Sequence, residues 1–99
     1  MAYRLTARAR RDVLEIWSYI AEDNLDAANR VEEAVYSACA FLAESPRAGR
    51  IREDLTALPV RFWLVQPLRN CWIVYDPQSK PLRVIRILHP ARNIPSILS

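Results

Sequence analysis

At 99 residues, 52% hydrophobic and 25% charged, the chain is sized for one domain that folds on its own apolar core without disulfide or metal staples. The net charge of +3 and a pI near 9.2 favour an acidic partner, either nucleic acid or an acidic peptide. The longest weakly apolar run, Ala34 to Ala43, is too short to span a bilayer.

Tyr3-Arg4-Leu5-Thr6 alternates as a short strand, and Thr6 is placed to cap a helix. That helix carries Ala9, Val13, Ile16, Trp17 and Ile20 at the three-and-four spacing of a single buried face. Arg8, Arg10, Arg11, Asp12 and Glu15 are expected on its wet side. Glu22-Asp23-Asn24 breaks the period, and Asn24 caps a second helix with Asp26 in its first turn, where the helix dipole favours an acid. Ala28, Val31, Val35, Ala38 and Leu42 form its apolar stripe, so the two helices are expected to pack as an antiparallel hairpin.

Ser45-Pro46 closes the second helix. Gly49, the only glycine, sits in a Pro-Arg-Ala-Gly-Arg loop where a positive φ is expected. Beyond Pro59 the period becomes two. Val60 to Val65, Cys71 to Tyr75 and Leu82 to Leu88 are rich in β-branched and aromatic residues, and short Pro-bearing connectors join them. The expected fold is a two-layer α+β domain of order β-α-α-β-β-β over residues 1–99. An antiparallel sheet lies against a helical hairpin, the first strand joins the sheet's edge, and the other sheet face is left open.

Charge is unevenly spread. After residue 55, six cations (Arg61, Arg69, Lys80, Arg83, Arg86 and Arg92) face a single carboxylate, Asp76. Cys39 and Cys71 form no CxxC pair and the chain has one histidine, so two reduced, packed thiols are expected, with no metal and no cofactor. The N-terminus passes from Met1-Ala2-Tyr3-Arg4 into Arg8, Arg10 and Arg11 without an apolar core region, and a cytoplasmic location is expected.

Several pieces occur in an ordered set: Leu5-Thr6 and Ala9, Ile16-Trp17 with Tyr19-Ile20-Ala21, Asp23-Asn24 with Ala27-Ala28, Pro46 with Gly49-Arg50, and Arg86-Ile87-Leu88-His89 with Ala91-Arg92. Together they resemble the ParE/RelE superfamily of bacterial type II toxin-antitoxin modules, on the ParE side, over nearly the whole chain. The resemblance implies a toxin neutralised by a ParD-like antitoxin in a heterotetramer or larger complex, which meets operator DNA only through the antitoxin. Relatives similar to ParE are described as inhibitors of DNA gyrase, and those similar to RelE as ribosome-dependent messenger RNA endonucleases. Fold alone does not choose between these activities.

Cleaving RNA through its 2′-hydroxyl needs a proton acceptor, a proton donor for the leaving oxygen, and cations against the phosphate. Where RelE-like members supply lysines and arginine on the middle strands, this sequence has Trp63, Val65 and Trp72, and its tail, Ile94 to Ser99, has no tyrosine. His89 has a usable pKa range, but ending a strand it reads as a hydrogen-bonded corner. No catalytic residue is therefore assigned.

The candidate antitoxin- or target-binding set is Arg61, Trp63, Arg69, Arg83, Arg86, His89 and Arg92. Its arginines are expected to meet antitoxin carboxylates, because only Asp76 is at hand to neutralise them. Trp63 reads first as core, and otherwise as a surface that stacks a base or anchors a partner's apolar residue. The rival readings are a RelE-type endonuclease using His89 and its neighbouring arginines, and a non-toxic module that binds antitoxin.

Overall fold

A computed structural model describes residues 2–65 and 71–89 of the chain. Thr6 organises its first turn. The residue is extended (φ −63°, ψ 163°), and its Oγ1 accepts the Ala9 N–H at 3.0 Å, capping helix α1 (Ala7–Ala21). The same hydroxyl donates to the Ile85 carbonyl at 2.8 Å and the Thr6 N–H to the Val84 carbonyl at 3.0 Å, so this cap is also fastened to the sheet. Asn24 starts α2 (Leu25–Glu44) in the same way, its Oδ1 accepting from the Ala27 N–H at 2.9 Å, with Asp26 in the first turn. Ser45 caps the end of α2 ahead of Pro46, as the sequence requires.

The strands are β1 (Tyr3–Leu5), β2 (Arg61–Leu64), β3 (Trp72–Asp76) and β4 (Leu82–Leu88), arranged in the order β1-β4-β3-β2. β2, β3 and β4 form an antiparallel meander. β1 lies parallel to β4, which makes the sheet mixed. The β3–β4 register slips at Val74/Tyr75: Val74 faces Arg86 and Tyr75 faces Val84, leaving Ile85 as an extra residue.

One face of the sheet packs on the helices. Ala9, Val13, Val35, Cys39 and Leu42 meet Ile73, Tyr75, Leu82, Val84 and Ile87 there, each fully buried large side chain contributing roughly 1.5–3 kcal/mol. The opposite face, expected to be open, is partly covered. Val60, Phe62, Val74 and Leu88 form a second buried cluster flanked by Leu55, Trp72 and Ile85, because the segment leading into β2 folds back across the sheet. Arg50 anchors that segment through paired backbone bonds with Phe62, of 2.7 and 2.8 Å.

Gly49 has no positive φ, contrary to expectation. Its role is closeness. A Cβ there would lie 2.5 Å from Tyr75 Oη, 2.8 Å from Tyr75 Cε1 and 2.9 Å from the Phe62 carbonyl oxygen. Tyr75 is wholly buried and uses its hydroxyl twice, donating to the Pro46 carbonyl at 2.6 Å and accepting the Gly49 N–H at 2.9 Å. The loop after α2 is thus tied to the middle of the sheet.

Candidate binding surface

Arg86 is the clearest departure from the sequence reading. Its Nε and Nη2 donate to the two carboxylate oxygens of Asp12 at 2.8 and 3.0 Å, a bidentate pair between side chains that are 12% and 3% exposed. Asp12 was expected on the wet side of α1, yet it is the one buried charged residue among those described. On its β1 side β4 is left without a strand at Ile87, because β1 ends at Leu5, while Ile73 of β3 faces Ile87 on the other side; the Asp12 carboxylate accepts the Ile87 N–H at 3.0 Å in place of a strand carbonyl. Arg8 approaches the same carboxylate at 3.7 Å. Arg86 therefore has its counter-charge inside the molecule, in Asp12 of α1, contrary to the expectation that only Asp76 was at hand. Asp12 lies three residues after Ala9 on the buried stripe of α1, the one sequence signal that could have found it.

Arg61 is also committed. Its Nη1 donates to the Gly49 carbonyl at 2.8 Å and lies 3.5 Å from the Arg47 carbonyl, clamping the loop that Tyr75 holds from below. Burial raises the Tyr75 pKa, opposed by the Gly49 N–H and by the nearby Arg61 charge.

Trp63 is half-buried against the helix-side core, with its ring 5.2 Å from that of Phe41, itself 46% exposed. It thus combines a core role with one edge of an aromatic surface pair. Trp72, on the other face, meets Phe62 edge-on at 6.3 Å and lies 5.9 Å beneath the Arg52 guanidinium. Arg52 in turn pairs with Asp54 at 2.7 Å.

His89 follows β4, is half-buried and is not free of partners. Arg83 is exposed on β4, in register with Arg4 of β1 on one side and Asp76 of β3 on the other. Arg69 and Arg92 lie outside the described residues. Of the predicted set, then, Arg61 and Arg86 serve internal contacts, Trp63 is partly displayed, and Arg83 presents its charge to solvent.

Burial pushes the Cys39 thiol up to about 12, which keeps it protonated and unreactive at neutral pH. Among the described residues no group of three or more His, Cys, Asp or Glu is placed to hold a metal ion. No helix among them is long and apolar enough to cross a membrane.

The family model described as "ParE toxin of type II toxin-antitoxin system, parDE" matches residues 3–94. This chain belongs to the ParE toxin family. Its two helices on a mixed four-stranded sheet are similar to a solved structure titled "Chromosomal ParDE TA system from P. aeruginosa", with a TM-score of 0.71 at 18% identity, covering 90% of this chain and 95% of that one. At that identity the likeness speaks for the fold. No curated protein matches. This ParE-family chain is accordingly a toxin of the type II toxin-antitoxin class.

Proposed function

We propose that this toxin acts by docking on DNA gyrase in the cytoplasm and that a ParD-like antitoxin neutralises it, with no bond-breaking step of its own. The observation that carries this reading is the commitment of Arg86. A phosphate clamp beside His89 would need that guanidinium, and it is held on both carboxylate oxygens of Asp12. Arg61, another of the candidate arginines, donates to a loop carbonyl. Trp63 and Trp72 stand on the middle strands where a nuclease would need bases and phosphate ligands.

In physical terms, the basic half of the chain steers the toxin toward an acidic partner surface, and apolar anchors such as Trp63 with Phe41 set how long it stays. An antitoxin segment that orders on binding pays an entropic cost, so its affinity needs both apolar anchors and arginine-carboxylate pairs. The test is a supercoiling and cleavage assay on purified gyrase. Inhibition by the toxin, reversed by a ParD-like antitoxin that binds it, is the expected result; unimpaired gyrase at saturating toxin removes the target from the account.

A further inference from the structure

Arg4 and Arg83 stand directly opposite one another on parallel strands β1 and β4. Their neighbours Tyr3, Leu5, Leu82 and Val84 pack on the helix side, so alternation turns both arginines to the opposite face, where both are exposed. Like charges directly across a strand pair repel. Among the described residues neither guanidinium has an ion pair or hydrogen bond. Asp76, next in the same row, forms no ion pair with Arg83, and its Oδ1 accepts the Gln78 N–H at 2.9 Å. The remaining charge is therefore held in place without being neutralised.

The two arginines border a cleft of about 320 Å³, completed by Leu5, Thr6, Ser79 and Pro81. Both hydroxyls of this cleft are already used. Thr6 Oγ1 donates to Ile85 and accepts from Ala9, while Ser79 Oγ donates to the Asp76 carbonyl at 3.0 Å and accepts the Arg83 N–H at 2.7 Å. The guanidinium N–H groups are the side-chain donors left over, and they can be satisfied only by a group that accepts. The N-terminus of α1 adds a positive field at the cleft wall, and its first turn contains no acid to cancel it.

We propose that this cleft is the seat of a carboxylate from the antitoxin, an Asp or Glu side chain gripped between Arg4 and Arg83. The proposal rests on the toxin-antitoxin reading given above. A carboxylate is acceptor-only and matches the planar fork of arginine, and it relieves the cross-strand repulsion that the free toxin tolerates. The device also explains why Arg83, unlike Arg61 and Arg86, has no partner among the described residues: its partner arrives with the antitoxin.

The test measures binding of the full-length ParD-like antitoxin to the wild type and to Arg4→Gln, Arg83→Gln and Arg83→Lys, by calorimetry at two salt concentrations, with a melting curve for each free toxin. Each glutamine variant is expected to bind at least tenfold more weakly and to show a shallower salt dependence, with lysine recovering only part of the loss. The melting temperature of the free variants should hold or rise, since repulsion has been removed. A fall in melting temperature would assign the pair a structural role and overturn the proposal. Unchanged antitoxin affinity overturns it too while leaving the toxin-antitoxin reading intact, whereas a wild type that fails to bind removes both. Variants that keep antitoxin affinity but lose binding to a single-stranded oligonucleotide would make this a phosphate site instead.

Discussion

Replacing Asp12 by alanine should damage this fold more than any exposed substitution. It strips both oxygens from the Arg86 guanidinium and takes the Asp12 acceptor from the Ile87 N–H, in surroundings where the carboxyl is 3% exposed and Arg86 is 12% exposed. Breaking a buried ion pair by removing one partner costs about 3–5 kcal/mol, a figure that overlaps the roughly 1–3 kcal/mol of an orphaned backbone donor and is not simply added to it. A domain of this size holds only about 5–15 kcal/mol of total stability, so the loss is a large share of what exists. At about 4–8 °C per kcal/mol, the melting temperature should fall by at least about 12 °C.

Urea and thermal unfolding, followed together by far-UV circular dichroism and tryptophan fluorescence, measure this directly. The companion variant Asp12→Leu with Arg86→Met removes both charges. It should recover part of the loss and stay about 1–3 kcal/mol below wild type, because the Ile87 N–H still lacks its acceptor. An Asp12→Ala protein within about 1 kcal/mol of wild type, or a double variant no better than the single one, would refute the reasoning.

Three further outcomes are expected. Gly49→Ala forces a methyl group against Tyr75 and the Phe62 carbonyl, and should cost about 1–3 kcal/mol in urea denaturation despite the ordinary φ at this position. The raised Cys39 pKa makes stability depend on alkaline pH: the unfolded thiol ionises near 9 and the folded one near 12, so the stability is intact below pH 9 and declines as pH rises through that window. The slope from this group approaches about 1.4 kcal/mol per pH unit, and Cys39→Ala should flatten it in denaturant titrations at pH 8, 9.5 and 10.5. Antitoxin should quench or shift tryptophan emission in the wild type through the Phe41–Trp63 pair, and a Trp63→Phe variant should lose that change; an identical response would move the anchor elsewhere.

Local signals in the sequence carried most of the architecture. Thr6 and Asn24 cap the helices they were read to cap, and the change of period after Pro59 marks the strands, because caps and alternation are set by neighbours a few residues apart. What escaped depends on distant partners. Asp12 reads as one acid in a charged stretch until β4 is brought alongside α1 at a separation of 74 residues. Gly49 reads as a turn residue until Tyr75 rises beneath it, and the open sheet face closes only when Leu55 and Val60 fold over Phe62 and Val74. The same limit governs the binding set. Counting charges along the chain grouped Arg61, Arg83 and Arg86 together, whereas packing gave two of them internal partners and left Arg83 beside Arg4.

The central claim is that this ParE-family toxin does harm by occupying a partner and not by cutting RNA. Primer-extension mapping of transcripts after brief induction, alongside a measure of DNA replication in the same cells, tests it most directly. Intact messages with blocked replication are the predicted result. Cleavage at defined codon positions, lost in a His89→Gln variant, would contradict it.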